Sequence, residues 1–238
     1  MPPVEIINPE GAAPLLLIGD HAGNAIPEAL GSLGVADADR QRHIGWDIGV
    51  DALGRRLSER LDATFVRQRY SRLVIDCNRD PASVEAVPVA SDGTAIPGNI
   101  GISPVARQQR VAEIHAPYQA AIAAALAARL ASHVLVSLHS FTPSLSGDSR
   151  PWHIGVLHNG GNDGFARRFL AWLVAHGDRP IGDNQPYRMD ATDHTVPRHA
   201  FPAGRPYLEL EVRQDLLGDA AGTEAMAALL ATAIAAAL

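Results

Sequence analysis

Two histidines follow apolar runs that are typical of buried strands. His21 comes shortly after residues 15–18, and His139 comes directly after residues 134–138. The carboxyl ends of neighbouring strands in an open α/β sheet share the edge where ligands bind, so we expect these imidazoles to lie together. Neutral imidazole binds zinc well, and catalytic zinc sites combine three protein ligands with a water molecule. The two positions therefore predict a metal site that contains His21 and His139.

The third metal ligand is expected to be a carboxylate. Asp47 is the first candidate, because it begins the buried part of a helix that apolar spacing predicts over residues 39–61. Asp20 and Asp51 are its competitors. Five further histidines are expected to be structural or exposed to solvent, namely His43, His115, His153, His158 and His199.

Residues 69–79 carry charges suited to anion binding. Arg72 and Arg79 flank a short apolar strand predicted over residues 73–76, with Asp76 at its end. A guanidinium group is the preferred partner of a carboxylate, because it can donate two parallel hydrogen bonds. Either these arginines bind an anionic substrate, or Asp76 and Arg79 form an ordinary ion pair at a strand end.

Residues 207–212 alternate between apolar and polar side chains. In a strand this period places Glu209 and Glu211 on the face opposite Leu208 and Leu210. A carboxylate near a metal-activated water is the usual general base for hydrolysis. The alternative is a sheet edge whose polar face is exposed to solvent.

Predicted strands and helices alternate along the chain without a repeat or a flexible linker. This order favours an α/β fold with a largely parallel or mixed sheet and helices on both faces, and a single domain over residues 1–238. Residues 78–103 and 182–204 are predicted to be long irregular stretches. In a compact domain such stretches usually contain functional residues and are less often simple connections. The predicted strands are residues 15–18, 63–68, 73–76, 133–138, 152–158 and 207–212; the predicted helices are residues 39–61, 104–131, 163–176 and 222–238.

Composition excludes several classes of function. The chain has 238 residues, a formal net charge of −6 and no basic stripe, which argues against nucleic-acid or acidic-membrane partners. Its single cysteine, Cys77, allows no intramolecular disulfide or cysteine-cluster metal site, and is expected to be a buried, inert thiol. We see no signal peptide and no apolar stretch long enough to cross a membrane, so we expect a cytoplasmic protein.

The motifs together resemble those of the N-formylglutamate amidohydrolase family. The resemblance runs from His21 through residues 71–79 (SRLVIDCNR), 138–143 (LHSFTP) and 211–215 (EVRQD), in the family's order and over nearly the whole chain. That family is similar to zinc carboxypeptidases and aspartoacylases. The resemblance implies a three-layer αβα fold of the zinc-carboxypeptidase (phosphorylase/hydrolase-like) type, with a mixed, mostly parallel sheet.

The resemblance also implies roles for individual residues. His21 and His139 would bind one zinc ion, and Glu211 would be the general base that activates water. Arg72 would polarise the scissile carbonyl. A substrate carboxylate would be held by Asn78 and Arg79, oriented by Asp76.

The chain departs from the relatives' pattern at one position. Carboxypeptidase-like enzymes pair the first histidine with a glutamate three residues later, and here that position is Asn24. Asparagine is a poor zinc ligand beside a carboxylate, so Asp47 is expected to complete the ligand set. Zinc is the expected ion, with cobalt, iron or another divalent metal left open.

The expected reaction is metal-dependent hydrolysis of N-formyl-L-glutamate or a similar N-acyl amino acid, that is, a deformylase-like activity on a small-molecule substrate. Tyr187 and His194, in residues 182–204, are expected in a loop that closes over the substrate, and residues 150–153 could line the pocket equally well. A substrate side-chain carboxylate would need a second cation, chosen among Arg150, Arg188, Arg198 and Arg213.

Two alternatives remain at this stage. One is a carboxypeptidase or amidase that acts on small peptides or cell-wall fragments, and the other is a metal- or small-anion-binding protein without catalysis. A phosphohydrolase is disfavoured because no glycine-rich phosphate loop is present. Both a monomer and a homo-oligomer are compatible with the sequence.

Overall fold

The computed structural model describes all residues from Met1 to Leu238. Its seven main strands are β1 Val4–Ile7, β2 Leu15–Gly19, β3 Thr64–Gln68, β6 Val134–Phe141, β9 Ile154–Leu157, β10 Ile181–Asp183 and β11 Tyr207–Arg213. Four two-residue strands form two small hairpins: β4 Ala90–Ser91 with β5 Thr94–Ala95, and β7 Ser144–Leu145 with β8 Asp148–Ser149. The main strands form one sheet in the order β1-β3-β2-β6-β11-β9-β10. Its four central strands are parallel, β1 is antiparallel to β3, and β9 and β10 run antiparallel to β11.

Helices cover both faces of this sheet, as the fold class requires. The helices are α1 Asp37–Arg40, α2 Val50–Leu61, α3 Pro104–Arg110, α4 Ala116–Ala127, α5 Gly164–His176, α6 Thr195–Ala200 and α7 Ala220–Ala237, with a π-helical turn Val111–His115 joining α3 to α4. One face packs against α2, α5 and α7, and the other packs against α4 and α6. Each face has its own buried apolar cluster, because successive side chains of a strand point to opposite sides.

The predicted α/β class with a mixed, mostly parallel sheet and helices on both faces is confirmed. The helix predicted over residues 39–61 is wrong in its first half, because α2 begins only at Val50. A side chain at Gly45 would overlap the Arg40 carbonyl oxygen, and Gly49 has a φ of 85°, in the left-handed region. Asp47 therefore lies in a turn before the helix.

Three further local predictions need correction. Residues 73 and 74 lie in a turn and residues 75 and 76 have no regular secondary structure, so the predicted strand is wrong, although Leu73, Val74 and Ile75 are buried as a strand's would be. Strand β6 continues through His139 to Phe141, so His139 is a strand residue. The stretch 182–204 contains α6 and is not a plain loop.

Helix α7 is longer and more apolar than the sequence analysis allowed. By length and composition alone, its 18 residues could cross a membrane. Its apolar stripe, which includes Met226, Leu230 and Ile234, is buried in the core against the sheet. The apolar composition of α7 is therefore explained by its packing as a core helix.

Cys77 is fully buried, and burial raises the pKa of its thiol well above the usual value.

Candidate active site

A pocket of about 580 Å³ opens at the carboxyl ends of the parallel strands β2, β6 and β11. Its wall contains the expected metal ligands, the catalytic residues, the carboxylate clamp and Tyr187, but not Arg150, His194, Arg198 or Arg213. Those in the wall are His21, Asp47, Arg72, Asn78, Arg79, His139, Tyr187 and Glu211. The edge of the sheet therefore gathers side chains from segments that are far apart in the chain, as open α/β folds commonly do.

His21, Asp47 and His139 meet at the bottom of this pocket. Oδ2 of Asp47 lies 3.0 Å from Nδ1 of His139 and 3.4 Å from Nδ1 of His21. One ligand atom from each of the three residues lies within 4.8 Å of the others, and all three side chains are buried. The backbone N–H of Asp47 donates to the His21 carbonyl oxygen at 2.9 Å, which ties the turn that carries Asp47 to the end of β2.

The Nε2 atoms of both histidines point away from Asp47 and toward other acceptors. Nε2 of His21 lies 2.7 Å from Oδ1 of Asp76. Nε2 of His139 lies 3.0 Å from the Ser137 hydroxyl and 3.4 Å from Oδ2 of Asp20. Acceptors at Nε2 favour the tautomer that carries its hydrogen there, which leaves the lone pair of Nδ1 directed at the shared centre.

These contacts fit a metal ion. Nδ1 of His21 is fully buried and has no hydrogen-bond partner. A histidine that binds a metal through one ring nitrogen usually donates a hydrogen bond to a carboxylate or another acceptor through the other, as both histidines do here. With neutral imidazoles, the negative charges of Asp20, Asp47 and Asp76 exceed the positive charge of Arg72 by two. A divalent cation would balance that excess, so the three residues could hold one.

The charged neighbours also shift the pKa values of the cluster. Burial alone would lower the pKa of His139, but its contacts with Asp20 and Asp47 raise it well above the usual value. Burial alone would raise the pKa of Asp47, but the two adjacent imidazoles lower it. The carboxylate between the histidines is thus held in its charged form, as a metal ligand must be.

Asp76 links the histidine to the arginine of the site. Besides its contact with His21, it accepts hydrogen bonds from Nε and Nη2 of Arg72, at 3.1 and 2.7 Å. Nη1 of Arg72 lies 3.4 Å from Oδ1 of Asp47. We had expected Asp76 to orient the carboxylate clamp, and it does accept the backbone N–H of Asn78 at 2.9 Å. Its side-chain partners, however, are His21 and Arg72, so the predicted ion pair with Arg79 does not form.

Asn78 and Arg79 lie in the wall with part of their hydrogen-bonding capacity already used. Oδ1 of Asn78 accepts the backbone N–H groups of His194 and Thr195, at 3.0 and 2.9 Å, where α6 begins. Nη1 of Arg79 donates to the carbonyl oxygens of Asn78 and Thr192, and its Nε lies 3.4 Å from Glu85. The segment before α6 is thereby fastened to the pocket wall.

Glu209 and Glu211 project from β11 into the same pocket. Because β11 pairs with β6 on one side and β9 on the other, it is an interior strand, and the expectation of a possible solvent-facing edge is wrong. Glu211 lies opposite His139 in the register, and Glu209 lies opposite Ser137. Burial raises the pKa of Glu211 to about 7 and that of Glu209 well above its usual value.

The pocket rim is formed in part by residues 187–193. Tyr187 is 40% exposed, its hydroxyl accepts a hydrogen bond from Nη1 of Arg150 at 2.8 Å, and that guanidinium lies 4.7 Å from the ring centre. Arg188 also lines the pocket and forms no hydrogen bond or ion pair within the protein. The rim therefore presents one aromatic ring and one unpaired cation.

Two other sequence positions lie outside the pocket. Arg213 is paired with Asp215 at 2.8 Å and donates toward carbonyl oxygens of residues 150 and 151, and its side chain does not line the pocket. Asn24 donates to the Arg40 carbonyl oxygen at 2.8 Å and is not among the residues that meet at the metal-binding group. Of the competitors for the third ligand, Asp51 pairs with Arg55 and Arg67, away from the histidines.

The sequence analysis gave no role to Thr195 or Asp193 and considered Asp20 only as a competing metal ligand. Asp20 lies behind His139, where it accepts hydrogen bonds from Thr195 at 2.6 Å and Ser137 at 3.3 Å. Asp193 joins the wall beside Asn78 and Arg79. The signal for Asp20 was its place next to His21 at a strand end, but nothing local indicated Thr195 or Asp193, since both come from a distant segment.

The comparisons with known proteins agree with this arrangement. The family model for N-formylglutamate amidohydrolase matches residues 13–218. The chain is 34% identical to the gene product Atu2144 from Agrobacterium tumefaciens, with a TM-score of 0.95 over 100% of this chain and 95% of that one. It is 23% identical to the N-formylglutamate amidohydrolase from Ralstonia eutropha JMP134, with a TM-score of 0.67 over 98% of this chain and 96% of that one. No curated protein sequence matches the chain.

Proposed function

The chain belongs to the N-formylglutamate amidohydrolase family, and we propose that it hydrolyses the amide bond of an N-formyl or similar N-acyl amino acid with the help of one divalent metal ion. N-formyl-L-glutamate is the first substrate to consider. The observation that supports this most directly is the convergence of His21, Asp47 and His139 in a pocket that also contains the unpartnered carboxyl group of Glu211.

The three buried residues would hold the ion. Two imidazole nitrogens and one carboxylate oxygen form a ligand set that suits zinc and leaves positions for water and substrate. Such an ion, when bound, polarises the acyl carbonyl and acidifies a water molecule. Asp76 and the Ser137–Asp20 pair keep the two rings turned so that both Nδ1 atoms face Asp47.

Glu211 is the proposed general base. It lies beside His139 on the neighbouring strand, and neither of its carboxyl oxygens has a hydrogen-bond partner in the protein. Burial raises the pKa of Glu211 to about 7, so it can accept a proton from water and return it near neutral pH. The proton goes to the nitrogen of the breaking C–N bond, and the products are the free carboxylic acid and the amine.

Arg72 and Arg79 would bind the negative charges of the reaction. Arg72 is held by Asp76 and Asp47, and we propose that it stabilises the oxygen that becomes negative when water adds to the acyl carbon. Arg79 and the second Nδ2 hydrogen of Asn78, the one not directed at Asp193, would hold the α-carboxylate, which positions the amide against Glu211. Arg188, the unpaired arginine of the rim, is the proposed partner of an acidic substrate side chain, with Tyr187 beside it.

Metal analysis and a substrate screen test this proposal together. The purified protein should contain about one divalent ion per chain and should release amine from N-formyl-L-glutamate or another N-formyl or N-acetyl amino acid. Glu211→Gln should lower kcat by roughly 10²–10⁴-fold, the usual range for loss of a general base, while the metal content stays the same. Glu224→Gln, on the exposed face of α7, is the matched control.

Two results would point elsewhere. Hydrolysis of dipeptides with none of formylated amino acids would make the protein a peptidase. Tight metal binding with no turnover of any of these compounds would make it a binding protein, and E211Q would then have no activity to lose.

A further inference from the structure

Glu209 is a second buried carboxyl group in the pocket, and the proposed reaction gives it no role. Its side chain is 2% exposed and lines the pocket, and neither carboxyl oxygen has a hydrogen-bond partner in the protein. Buried polar groups almost always have a partner, so an unpartnered one in a binding pocket calls for a ligand atom. In the proposed function His21 Nδ1 faces the metal and Glu211 faces water. His43 also lines the pocket with a buried Nε2 that makes no hydrogen bond, but this atom lies 3.4 Å from Oδ2 of Asp92, which leaves Glu209.

The position of Glu209 relative to Glu211 limits what it can contact. The two glutamates lie on one face of β11, two residues apart, which separates their Cα atoms by roughly 7 Å. Glu209 lies opposite Ser137 in the register, one step deeper than the pair of Glu211 and His139. A group bonded directly to a carbonyl that reacts at Glu211 can therefore reach toward Glu209.

The surroundings of Glu209 indicate which half of the substrate lies there. Asp193 lines the same pocket as Glu209, and its charge adds to the burial that raises the pKa of Glu209. Asp193 is in turn 3.4 Å from Nδ2 of Asn78 and 4.0 Å from Nη1 of Arg79, the proposed clamp for the α-carboxylate. The amino-acid half of the substrate, with its N–H, is thus expected on the Glu209 side.

We propose that Glu209 accepts a hydrogen bond from the amide N–H of the substrate and, after cleavage, from the amine of the product. This inference rests on the proposed function and extends it. The amide N–H is the hydrogen-bond donor nearest the reacting carbon, and an ester has none at that position. Glu209 would therefore select amides over otherwise identical esters.

The test compares N-formyl-L-glutamate with L-2-(formyloxy)glutarate, in which an oxygen atom replaces the N–H. In Glu209→Leu we expect kcat/KM for the amide to fall roughly 10- to 100-fold, because the substitution would leave the buried amide N–H of the substrate without an acceptor. The value for the ester should change less than about 3-fold on the same principle. Glu209→Gln, which keeps an acceptor oxygen, should fall between the wild type and E209L for the amide.

Tyr207→Phe is the matched control, since Tyr207 lies on the same face of β11. Its hydroxyl bonds to Asn159 and Gly160 outside the pocket, so the ratio of amide to ester activity should not change. Melting temperatures and metal contents verify that each variant is folded and loaded. An equal loss for amide and ester in E209L would overturn the inference.

A binding measurement separates this inference from the proposed function. Calorimetry with L-glutamate and L-2-hydroxyglutarate should show that the wild type prefers the amine and that E209L loses this preference. If the wild type hydrolyses neither formyl compound, the proposed function fails, and the calorimetry still decides the role of Glu209. Equal preference in both proteins, or no binding of either compound, would count against the inference.

Discussion

His21 and His139 reach the site from different backbone settings, yet the protein orients them in the same way. His21 lies in the turn after β2 and His139 lies inside β6, and in both rings Nδ1 faces Asp47 while Nε2 faces an acceptor. Asp76 does this for His21, and Ser137 with Asp20 does it for His139. Outer partners of this kind fix the tautomer and the direction of the lone pair.

Asp76→Asn should weaken metal binding without removing a ligand. The substitution keeps the size of the side chain but removes the charge that holds both His21 and Arg72. We expect the metal dissociation constant to rise roughly 10- to 100-fold, which competition with a chelator measures.

The control for that variant is Asp51→Asn, where the carboxylate pairs with Arg55 and Arg67 away from the pocket. It should leave metal affinity unchanged. An Asp76 variant with the affinity of the wild type would show that Asp76 does not position His21.

At the scale of secondary-structure elements, one glycine determines how closely α2 packs against the sheet. Gly54 lies inside α2, and a Cβ there would overlap the ring of Phe65, which is fully buried in β3. The glycine therefore lets the helix approach the strand closely. This contact keeps α2 at the position from which the turn carrying Asp47 enters the site.

Gly54→Ala should destabilise the protein although alanine favours helices. Overpacking of a closely packed core costs about 1–3 kcal/mol, against about 0.5–1 kcal/mol gained from helix propensity. The net loss should lower the urea midpoint. The Cβ of Gly164→Ala, at the start of α5, would meet only two side-chain atoms, at 3.6 and 4.0 Å, so this variant should leave the midpoint unchanged or raise it. A stabilised Gly54 variant would contradict the close contact.

The contact between α4 and α6 contains a histidine that burial keeps neutral. Nε2 of His199 donates to Oε1 of Gln119 at 2.7 Å, and burial, followed by the charge of Arg198, lowers the pKa of His199 to about 4. Its unfolded value is near 6.5, so between these values the unfolded chain binds more protons. The stability that His199 contributes is therefore lost as pH falls from about 6.5 toward 4.

His199→Gln should reduce this pH dependence. Urea unfolding at pH 7.5 and pH 5 gives the free-energy difference between the wild type and the variant at each pH, and we expect the advantage of the wild type to shrink at pH 5. Thr232→Ala, on the exposed side of α7, removes a group that does not titrate and should show the same difference at both pH values. An advantage of the wild type that grows at pH 5 would contradict the assignment of a lowered pKa.

At the scale of the whole molecule, the site joins segments from both halves of the chain. Residues of the end of β2, the turn before α2, β6 and β11 meet at one edge of the sheet. A metal ion bound there would link these segments in the folded state only. Metal binding is therefore expected to stabilise the entire fold.

Addition of zinc to protein stripped with a chelator should raise the melting temperature. At a metal concentration 100 times the dissociation constant, the gain is about 2.7 kcal/mol, which corresponds to roughly 5–10 °C for a chain of this length. His139→Asn should abolish the shift, whereas H176Q should retain it. A shift of the same size in the His139 variant would place the metal elsewhere.

The apolar pattern of the sequence by itself predicted most of the helices and strands. The residue types at the strand ends predicted the kind of chemistry. Runs such as residues 15–18 and 134–138 are apolar enough to predict interior strands, and their ends placed His21 and His139 correctly at one edge of a sheet. The single-domain arrangement and the cytoplasmic location stay predictions.

Tertiary structure alone decided which polar side chains face the pocket. The alternation of residues 207–212 is equally compatible with a solvent-exposed edge strand, because local periodicity defines the two faces of a strand but not its neighbours. In the structure β11 lies between β6 and β9, so Glu209 and Glu211 face the pocket. Asp76 likewise became the partner of His21 through a contact across 55 residues. Such contacts depend on how distant segments pack, and no pattern within either segment encodes them.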